Sequence, residues 1–200
     1  MQFSDLDLNK TYTYADYLKW TFDERLELIK GKIFPMSPAP AEIHQRISHK
    51  VNLALGNNLY GKPCAVYAAP FDVRLILKSK KDKEIITVLQ PDICVICDLS
   101  KIDDRGCLGA PDIVVEILSP GNNKKELKNK YEVYEEAGVK EFWIIHPQEK
   151  TFFKYVLDEA GKFMPTNLLT FGDEVTSSIL PGFALNLDEV FADRLGGTSS

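Results

Sequence analysis

Two short runs of apolar, mostly β-branched residues stand out in the hydrophobic pattern of the chain. They are Pro91-Asp92-Ile93-Cys94-Val95-Ile96-Cys97 and Pro111-Asp112-Ile113-Val114-Val115-Glu116-Ile117-Leu118. Uninterrupted apolar runs of this length predict strands that are buried on both faces. Asp92 begins the first strand, and Glu116 lies inside the second. An ionised carboxylate among such neighbours is costly unless it is paired or binds a metal, so both residues are candidates for a functional site.

A helix is predicted directly after the second strand. The segment Ser119-Pro120-Gly121 ends the strand, and Asn122 or Asn123 can cap the first helical turn. The apolar stripe of the helix is Leu127, Tyr131, Tyr134 and Ala137. At about 100° per residue, Lys130 falls within this stripe, so its ammonium should point towards the sheet and needs an anion there. The alternative is an exposed pair between Lys130 and Glu126 at i, i+4 spacing.

Three elements are predicted before these strands. A short helix is capped by Thr13, a hairpin turns at Lys30-Gly31, and a long helix runs over about Ala41 to Asn58; the hairpin strands are Leu26 to Ile29 and Lys32 to Met36. Glu27 lies on the strand face opposite Leu26 and Leu28, so it faces either a cleft or solvent. His44 lies within the apolar stripe of the long helix. It is interpreted either as a hydrogen-bonded core residue or as a group that steers a phosphate or assists proton transfer.

The remaining pattern predicts further strands and a terminal helix. The predicted strands are Ala65 to Leu77 with a break at Pro70, Ile85 to Leu89, Lys140 to Ile145, and the hairpin of Thr151 to Leu157 with Phe163 to Phe171. Asp72 and Arg74 share a strand face and are expected to pair, with a role for Asp72 in the site as the alternative. Ser100 to Gly109 is expected to be a polar loop, Leu187 to Asp193 a helix, and 194–200 a disordered tail. Strands between helices indicate a single α/β domain over 1–200 with a mixed central sheet.

The acidic positions carry a family resemblance. Pro91-Asp92 followed by Glu116-Ile117-Leu118 resembles the PD-(D/E)XK nuclease superfamily, with Leu118 where the usual lysine stands. The wider text is similar to the Uma-two family of endonucleases over roughly Tyr14 to Phe191. The segments that carry this similarity are Glu27-Leu28-Ile29-Lys30-Gly31-Lys32-Ile33, Ala69-Pro70-Phe71-Asp72-Val73-Arg74-Leu75, Gln90-Pro91-Asp92, Ala110 to Pro120, and Ala137-Gly138-Val139-Lys140-Glu141-Phe142-Trp143.

The resemblance implies a fold and a chemistry. The fold is a restriction endonuclease-like α/β fold, in which helices flank a mixed central β-sheet and additional β-hairpins are present. The lysine has moved to the helix at Lys130, with Glu126 one turn earlier. The implied activity is metal-dependent phosphodiester hydrolysis, with Mg²⁺ or Mn²⁺ held by Asp92, Glu116 and the carbonyl of Ile117. Glu27, His44 and Asp72 are possible accessory residues. Because a duplex cut on both strands needs two sites, a homodimer is expected.

The net charge of the chain partly opposes the interpretation as a nuclease. The net charge of −5 is opposite to the basic balance expected of a nucleic-acid binder. Two lysine-rich segments are locally basic within this acidic chain. They are predicted to bind nucleic acid through Lys80, Lys81, Lys83, Lys124 and Lys128. The alternative is that both segments are solvated surface. Leu118 and the acidic balance favour a non-catalytic DNA-binding or dimerisation module, and a hydrolase of small phosphoesters is a further alternative.

Cysteine spacing argues against a metal site built from cysteines, and hydropathy argues against a membrane protein. Cys94 and Cys97 fall on opposite faces of one predicted strand, where they cannot grip one metal ion, so Cys64, Cys94, Cys97 and Cys107 are predicted to be reduced thiols. No apolar run approaches the roughly 18 residues that span a bilayer, so we expect a cytoplasmic protein without membrane contact.

Overall fold

Helices and strands alternate along the described residues, which are 3–36, 41–77, 79–119 and 124–193 of this computed structural model. The helices are α1 (Tyr14–Tyr17), α2 (Glu42–Leu59), α3 (Lys124–Ala137) and α4 (Leu187–Phe191). The strands are β1 (Leu26–Ile29), β2 (Lys32–Pro35), β3 (Ala65–Ala68), β4 (Val73–Arg74), β5 (Val88–Leu89), β6 (Ile93–Ile96), β7 (Ile102–Asp103), β8 (Gly106–Leu108), β9 (Ile113–Ile117), β10 (Glu141–His146), β11 (Thr151–Leu157), β12 (Phe163–Pro165), β13 (Glu174–Thr176) and β14 (Ala184–Asn186).

The two apolar runs become neighbouring strands in the middle of a six-stranded sheet, here called the central sheet. Its order is β12-β11-β10-β9-β6-β3, with β9 and β10 parallel and the other neighbours antiparallel. Ile93 pairs with Val115 across β6 and β9, so the same register brings Asp92 opposite Glu116. The predicted mixed sheet is confirmed.

A second six-stranded sheet contains the N-terminal hairpin. Its order is β2-β1-β5-β4-β8-β7, in which only β4 and β8 are parallel neighbours among the described strands. The hairpin turns where expected, with φ of 49° at Lys30 and 78° at Gly31. A Cβ atom on Gly31 would lie 2.3 Å from the Thr11 side chain, so this turn requires glycine.

Helices cover both faces of the central sheet. Ile47, Val51 and Leu55 of α2 pack on one face together with α4, and Val133 and Tyr134 of α3 pack on the other. Alternation along β9 places Ile113, Val115 and Ile117 towards α2. Glu116 therefore faces α3 and the second sheet.

Three predicted features differ from the structure because of long-range pairing. The predicted strand Ala65 to Leu77 divides near Pro70 into β3 of the central sheet and β4 of the second sheet. Arg74 pairs with Asp103 (Nη2 to Oδ1, 2.5 Å), so the expected pair with Asp72 is wrong. The segment Ser100 to Gly109 forms the hairpin of β7 and β8, in which Cys107 is fully buried.

The lengths of several strands and the state of two cysteines also differ from the prediction. The strand expected to begin at Ile85 is reduced to β5, the one beginning at Phe163 ends at Pro165, and β13 and β14 were not predicted. Cys64 directly precedes β3 and Cys97 directly follows β6, so the antiparallel register brings them together, and they form a disulfide. The prediction of reduced thiols is wrong for these two. Cys94 and Cys107 are free and buried. The predicted cap at Asn122 or Asn123 and the predicted tail at 194–200 lie outside the described residues. Among the helices that the structure describes, none is long and apolar enough to cross a membrane.

The repeated Pro-Asp pair has different roles in its two copies. Asp112 is buried, its Oδ2 accepts a hydrogen bond from the Cys97 backbone N–H (2.7 Å), and its Oδ1 lies 2.7 Å from Lys140 Nζ. Asp112 therefore links β9, β6 and the start of β10.

Replacing Asp112 by alanine should lower the free energy of unfolding by about 1–3 kcal/mol, because the Cys97 N–H loses its acceptor. Urea denaturation measures this change. Lys140→Ala is the control, since Lys140 is exposed and its ion pair is worth about 0–1 kcal/mol. Equal effects of the two substitutions would contradict this account of Asp112.

Candidate functional site

Lys130 occupies the centre of a buried charged cluster. Its Nζ lies 2.9 Å from Glu27 Oε2 and 3.1 Å from each carboxylate oxygen of Glu116. The three residues are exposed by only 7%, 1% and 7% for Lys130, Glu27 and Glu116. The helical stripe thus points the ammonium inward, as predicted, and the alternative of an exposed pair with Glu126 does not describe its contacts.

Each glutamate also accepts a hydrogen bond from a residue other than Lys130. Glu27 on β1 accepts from the Gln90 backbone N–H at 2.9 Å through Oε1. Glu116 on β9 accepts from the Tyr134 hydroxyl at 2.8 Å through Oε1. The cluster therefore joins the second sheet, the central sheet and α3.

Asp92 completes the acidic group at the edge of the cluster. Its Oδ2 accepts a hydrogen bond from the Ile117 backbone N–H at 2.7 Å, across the β6 and β9 register. The same oxygen lies 3.3 Å from His44 Nε2 on α2. His44 Nδ1 is buried and has no hydrogen-bond partner among the residues described. The cluster thus contacts α2 through the pair of His44 and Asp92.

Negative charge exceeds positive charge in this group. Burial raises the pKa of Glu116, and Glu27 and Asp92 add to this effect, while Lys130 opposes it. Burial alone would lower the pKa of Lys130, but the charges of Glu116 and Glu27 outweigh it and raise that pKa. Glu27 and Glu116 share the one ammonium. Asp92 beside them contacts the imidazole of His44. With three carboxylates close together and one fixed positive charge, the group would be stabilised by a further cation.

The cluster forms the floor of an open cleft of about 340 Å³. One wall is α2, which contributes polar side chains at helical spacing, namely Gln45, Ser48, His49 and Asn52. Arg25 and Gln90, which precede Glu27 and Asp92 by two residues each, also line the cleft. Polar groups therefore surround the acidic floor.

Comparison with known proteins agrees with this geometry. The model of the Uma2 family, described as "Putative restriction endonuclease", matches residues 14–188. The chain belongs to the Uma2 family. A solved structure titled as a "putative nuclease belonging to DUF820" from Anabaena variabilis has a TM-score of 0.69 and 21% identity, covering 90% of this chain and 97% of that one. No curated protein matches.

The Uma2 match and the structural neighbour confirm the predicted α/β fold class. Leu118, at the position where the sequence resemblance led us to expect a lysine, is partly buried and packs against the apolar cluster beside α3. The ammonium of this Uma2 chain reaches the two carboxylates from α3 instead. A lysine therefore lies beside Glu116, although it comes from a helix and not from the strand.

The structure brings together most of the predicted site residues. Glu27, His44, Asp92, Glu116, Ile117 and Lys130 all line the cleft. Asp72 does not line it and instead accepts a hydrogen bond from Gln90 Nε2 at 2.8 Å, beside a neighbouring surface hollow. Lys80, Lys81 and Lys83 are exposed outside the cleft, and Lys128 is exposed on α3, where it pairs with Glu132 at 3.9 Å. The Lys124 side chain lies outside the described part of the chain.

Sequence analysis missed the walls of the cleft. Positions 45, 48, 49 and 52 follow His44 at helical spacing and are all polar, which is a signal that pattern analysis can detect. Arg25 could be found only through its position two residues before Glu27. Gln90 could be found in the same way from Asp92, since residues two apart share a strand face.

The donor atoms suit a hard divalent cation, although they do not form a closed cage. Within 3–36, 41–77, 79–119 and 124–193, no three His, Cys, Asp or Glu side chains group closely enough to hold a metal by themselves. Mg²⁺ commonly binds through only one or two carboxylates and keeps several waters. Asp92 and Glu116 are the two carboxylates of the cleft floor that could meet this smaller requirement.

Lys130→Met should lower the free energy of unfolding in EDTA by about 3–5 kcal/mol, since it leaves Glu27 and Glu116 buried without a counter-charge. Lys128→Met is the matched control on the same helix. Lys128 is 75% exposed, so its substitution should change stability by less than about 0.5 kcal/mol. Urea denaturation of both variants checks this, and equal stability of the two would contradict the buried cluster.

Proposed function

We propose that this protein is a metal-dependent endonuclease that hydrolyses phosphodiester bonds of nucleic acid, with DNA as the substrate. The observation that carries the proposal is the Lys130 ammonium between Glu27 and Glu116, with Asp92 opposite Glu116, on the floor of an open cleft in a Uma2 chain. Such a site offers ligands for a cation and a fixed positive charge for a phosphate.

Asp92 and Glu116 are the proposed metal-binding side chains, with the carbonyl of Ile117 as a further oxygen donor. All three are hard oxygen ligands, which suit Mg²⁺ or Mn²⁺. When bound, such an ion supplies a more acidic water and offsets negative charge on the phosphate. The described contacts of Asp92 use Oδ2, so Oδ1 is its proposed donor atom.

Lys130 is proposed to stabilise the charge that develops on the phosphate and to orient the attacking water. Glu27 contacts the ammonium from β1 and Glu116 contacts it from β9, so that the lysine does not depend on a single partner. Such preorganised charge is effective because little water surrounds it. His44 contacts Asp92 and is proposed as a positioning residue for that carboxylate.

Hydrolysis adds water across one P–O bond of the backbone. The water oxygen bonds to phosphorus, the bond to the sugar oxygen breaks, and that oxygen leaves with a proton. The cleft is open, and its α2 wall offers amide, hydroxyl and imidazole groups that can donate hydrogen bonds to phosphate oxygens. A polymer that extends beyond the reacting bond therefore fits it better than a small phosphoester does.

Two further parts of the proposal concern partners. Lys80, Lys81, Lys83, Lys124 and Lys128 remain predicted contacts to nucleic acid outside the cleft, which would require the polymer to continue over the surface. A homodimer is proposed because it would present two sites for cutting both strands of a duplex.

Plasmid nicking tests the function. Wild type should nick plasmid DNA with Mg²⁺ or Mn²⁺ and not with EDTA, and Asp92→Asn should lower the rate by at least ~10² because it removes a charged ligand. Asp112→Asn is the matched control, since it changes the other Pro-Asp pair, which lies outside the cleft and can still accept from Cys97.

The outcomes separate the alternatives. Binding of DNA without cleavage under any metal condition would indicate the non-catalytic module. Turnover of a nitrophenyl phosphodiester with intact plasmid would indicate a small-molecule hydrolase. Equal rates for Asp92→Asn and Asp112→Asn would contradict the proposed site.

A further inference from the structure

Arg25 differs from the other arginines in the described chain. Arg46, Arg74 and Arg105 each pair with a carboxylate, of Glu42, Asp103 and Asp82 respectively. Arg25 is exposed at the rim of the cleft and forms no ion pair with any described residue. Its partner is neutral, since Nε and Nη2 donate to Gln90 Oε1 at 3.1 and 2.5 Å.

The Gln90 side-chain amide is itself held by hydrogen bonds through its nitrogen. Its Nε2 donates to Asp72 Oδ1 at 2.8 Å and lies 3.5 Å from the Tyr17 hydroxyl. An amide that is anchored in this way holds the guanidinium in place without neutralising it. A free arginine side chain loses rotamer entropy when it binds, so this arrangement prepares a fixed positive charge.

The position of this charge relative to the acidic floor is set by two strands. Arg25 precedes Glu27 by two residues, and Gln90 precedes Asp92 by two residues, so both pairs line the same cleft. Two residues of extended chain span about 7 Å. The guanidinium therefore stands beside the reacting centre, where Lys130 lies, and not in it.

We propose that Arg25 binds a non-reacting backbone phosphate next to the scissile one, and that Gln90, anchored by Asp72, is the positioning residue for its guanidinium. This inference rests on the proposed nuclease function, and it names a substrate contact of the same cleft. A guanidinium matches phosphate with two parallel donors, and Arg25 Nη1 is not engaged by Gln90. The role also explains how a chain of net charge −5 can hold a polyanion beside three carboxylates.

The test measures plasmid nicking with Mg²⁺ over a series of KCl concentrations. For Arg25→Gln we expect KM to rise about tenfold with a smaller change in kcat, because the phosphate contacted does not react. The slope of log(kcat/KM) against log[KCl] should become shallower by about 0.9, the value for one lost phosphate contact on duplex DNA.

Two further variants make the result specific. Lys162→Gln removes the same charge from an exposed lysine that pairs with Glu135, away from the cleft, and should leave KM and slope unchanged. Gln90→Leu keeps the charge of Arg25 but releases it, so KM should rise while the slope stays at the wild-type value. Thermal unfolding of each variant separates these effects from loss of fold.

The failures are distinguishable. If wild type cleaves and Arg25→Gln behaves like Lys162→Gln, the role of Arg25 is overturned and the nuclease function stands. If Gln90→Leu cleaves with wild-type KM, the positioning role of Gln90 is overturned. If wild type cleaves no nucleic acid with Mg²⁺ or Mn²⁺, the proposed function falls and the inference falls with it.

Discussion

The ammonium of Lys130 between Glu27 and Glu116 is the interaction on which the arrangement of this molecule depends. It joins the helix α3 to β1 of the second sheet and to β9 of the central sheet. Removing Lys130 would leave both glutamates buried without a counter-charge, whereas removing one glutamate leaves the other paired with the ammonium. Replacing all three residues by apolar ones of similar volume would be neutral or stabilising in many proteins, so the cluster is better explained by chemistry than by stability.

The second Pro-Asp pair shows how the same local sequence can serve a different purpose. Asp92 and Asp112 both precede a buried strand, yet Asp112 binds a backbone N–H and an exposed lysine, whereas Asp92 contacts His44 on the cleft floor. The distinction comes from their neighbours in space. Asp92 lies opposite Glu116 in the register of β6 and β9, and Asp112 lies at the other end of the same pair of strands.

Local pattern was sufficient for the elements that carry the site. The buried strands, the hairpin turn at Lys30-Gly31 and the inward direction of Lys130 all follow from periods of two or 3.6 residues and from the conformational freedom of glycine. Local pattern could not show that Glu27 and Glu116 share one lysine. That contact joins residues from opposite halves of the chain through the packing of two sheets.

The errors have the same physical origin. The division near Pro70 sends β3 and β4 to different sheets, and this separates Arg74 from the site and brings it to Asp103. The disulfide between Cys64 and Cys97 and the hairpin of β7 and β8 likewise depend on strands that pair across the fold. Periodicity predicts which residues are buried, but it does not identify their partners.

The central claim is that the acidic floor of the cleft takes a divalent cation at Asp92 and Glu116. Anomalous diffraction from a crystal soaked in Mn²⁺ tests it directly, because manganese is located independently of activity. The account predicts an anomalous peak in contact with carboxylate oxygens of both Asp92 and Glu116, and no such peak for Glu116→Gln. Absence of a peak in the wild-type cleft at saturating Mn²⁺, or a peak that persists unchanged in Glu116→Gln, would contradict it.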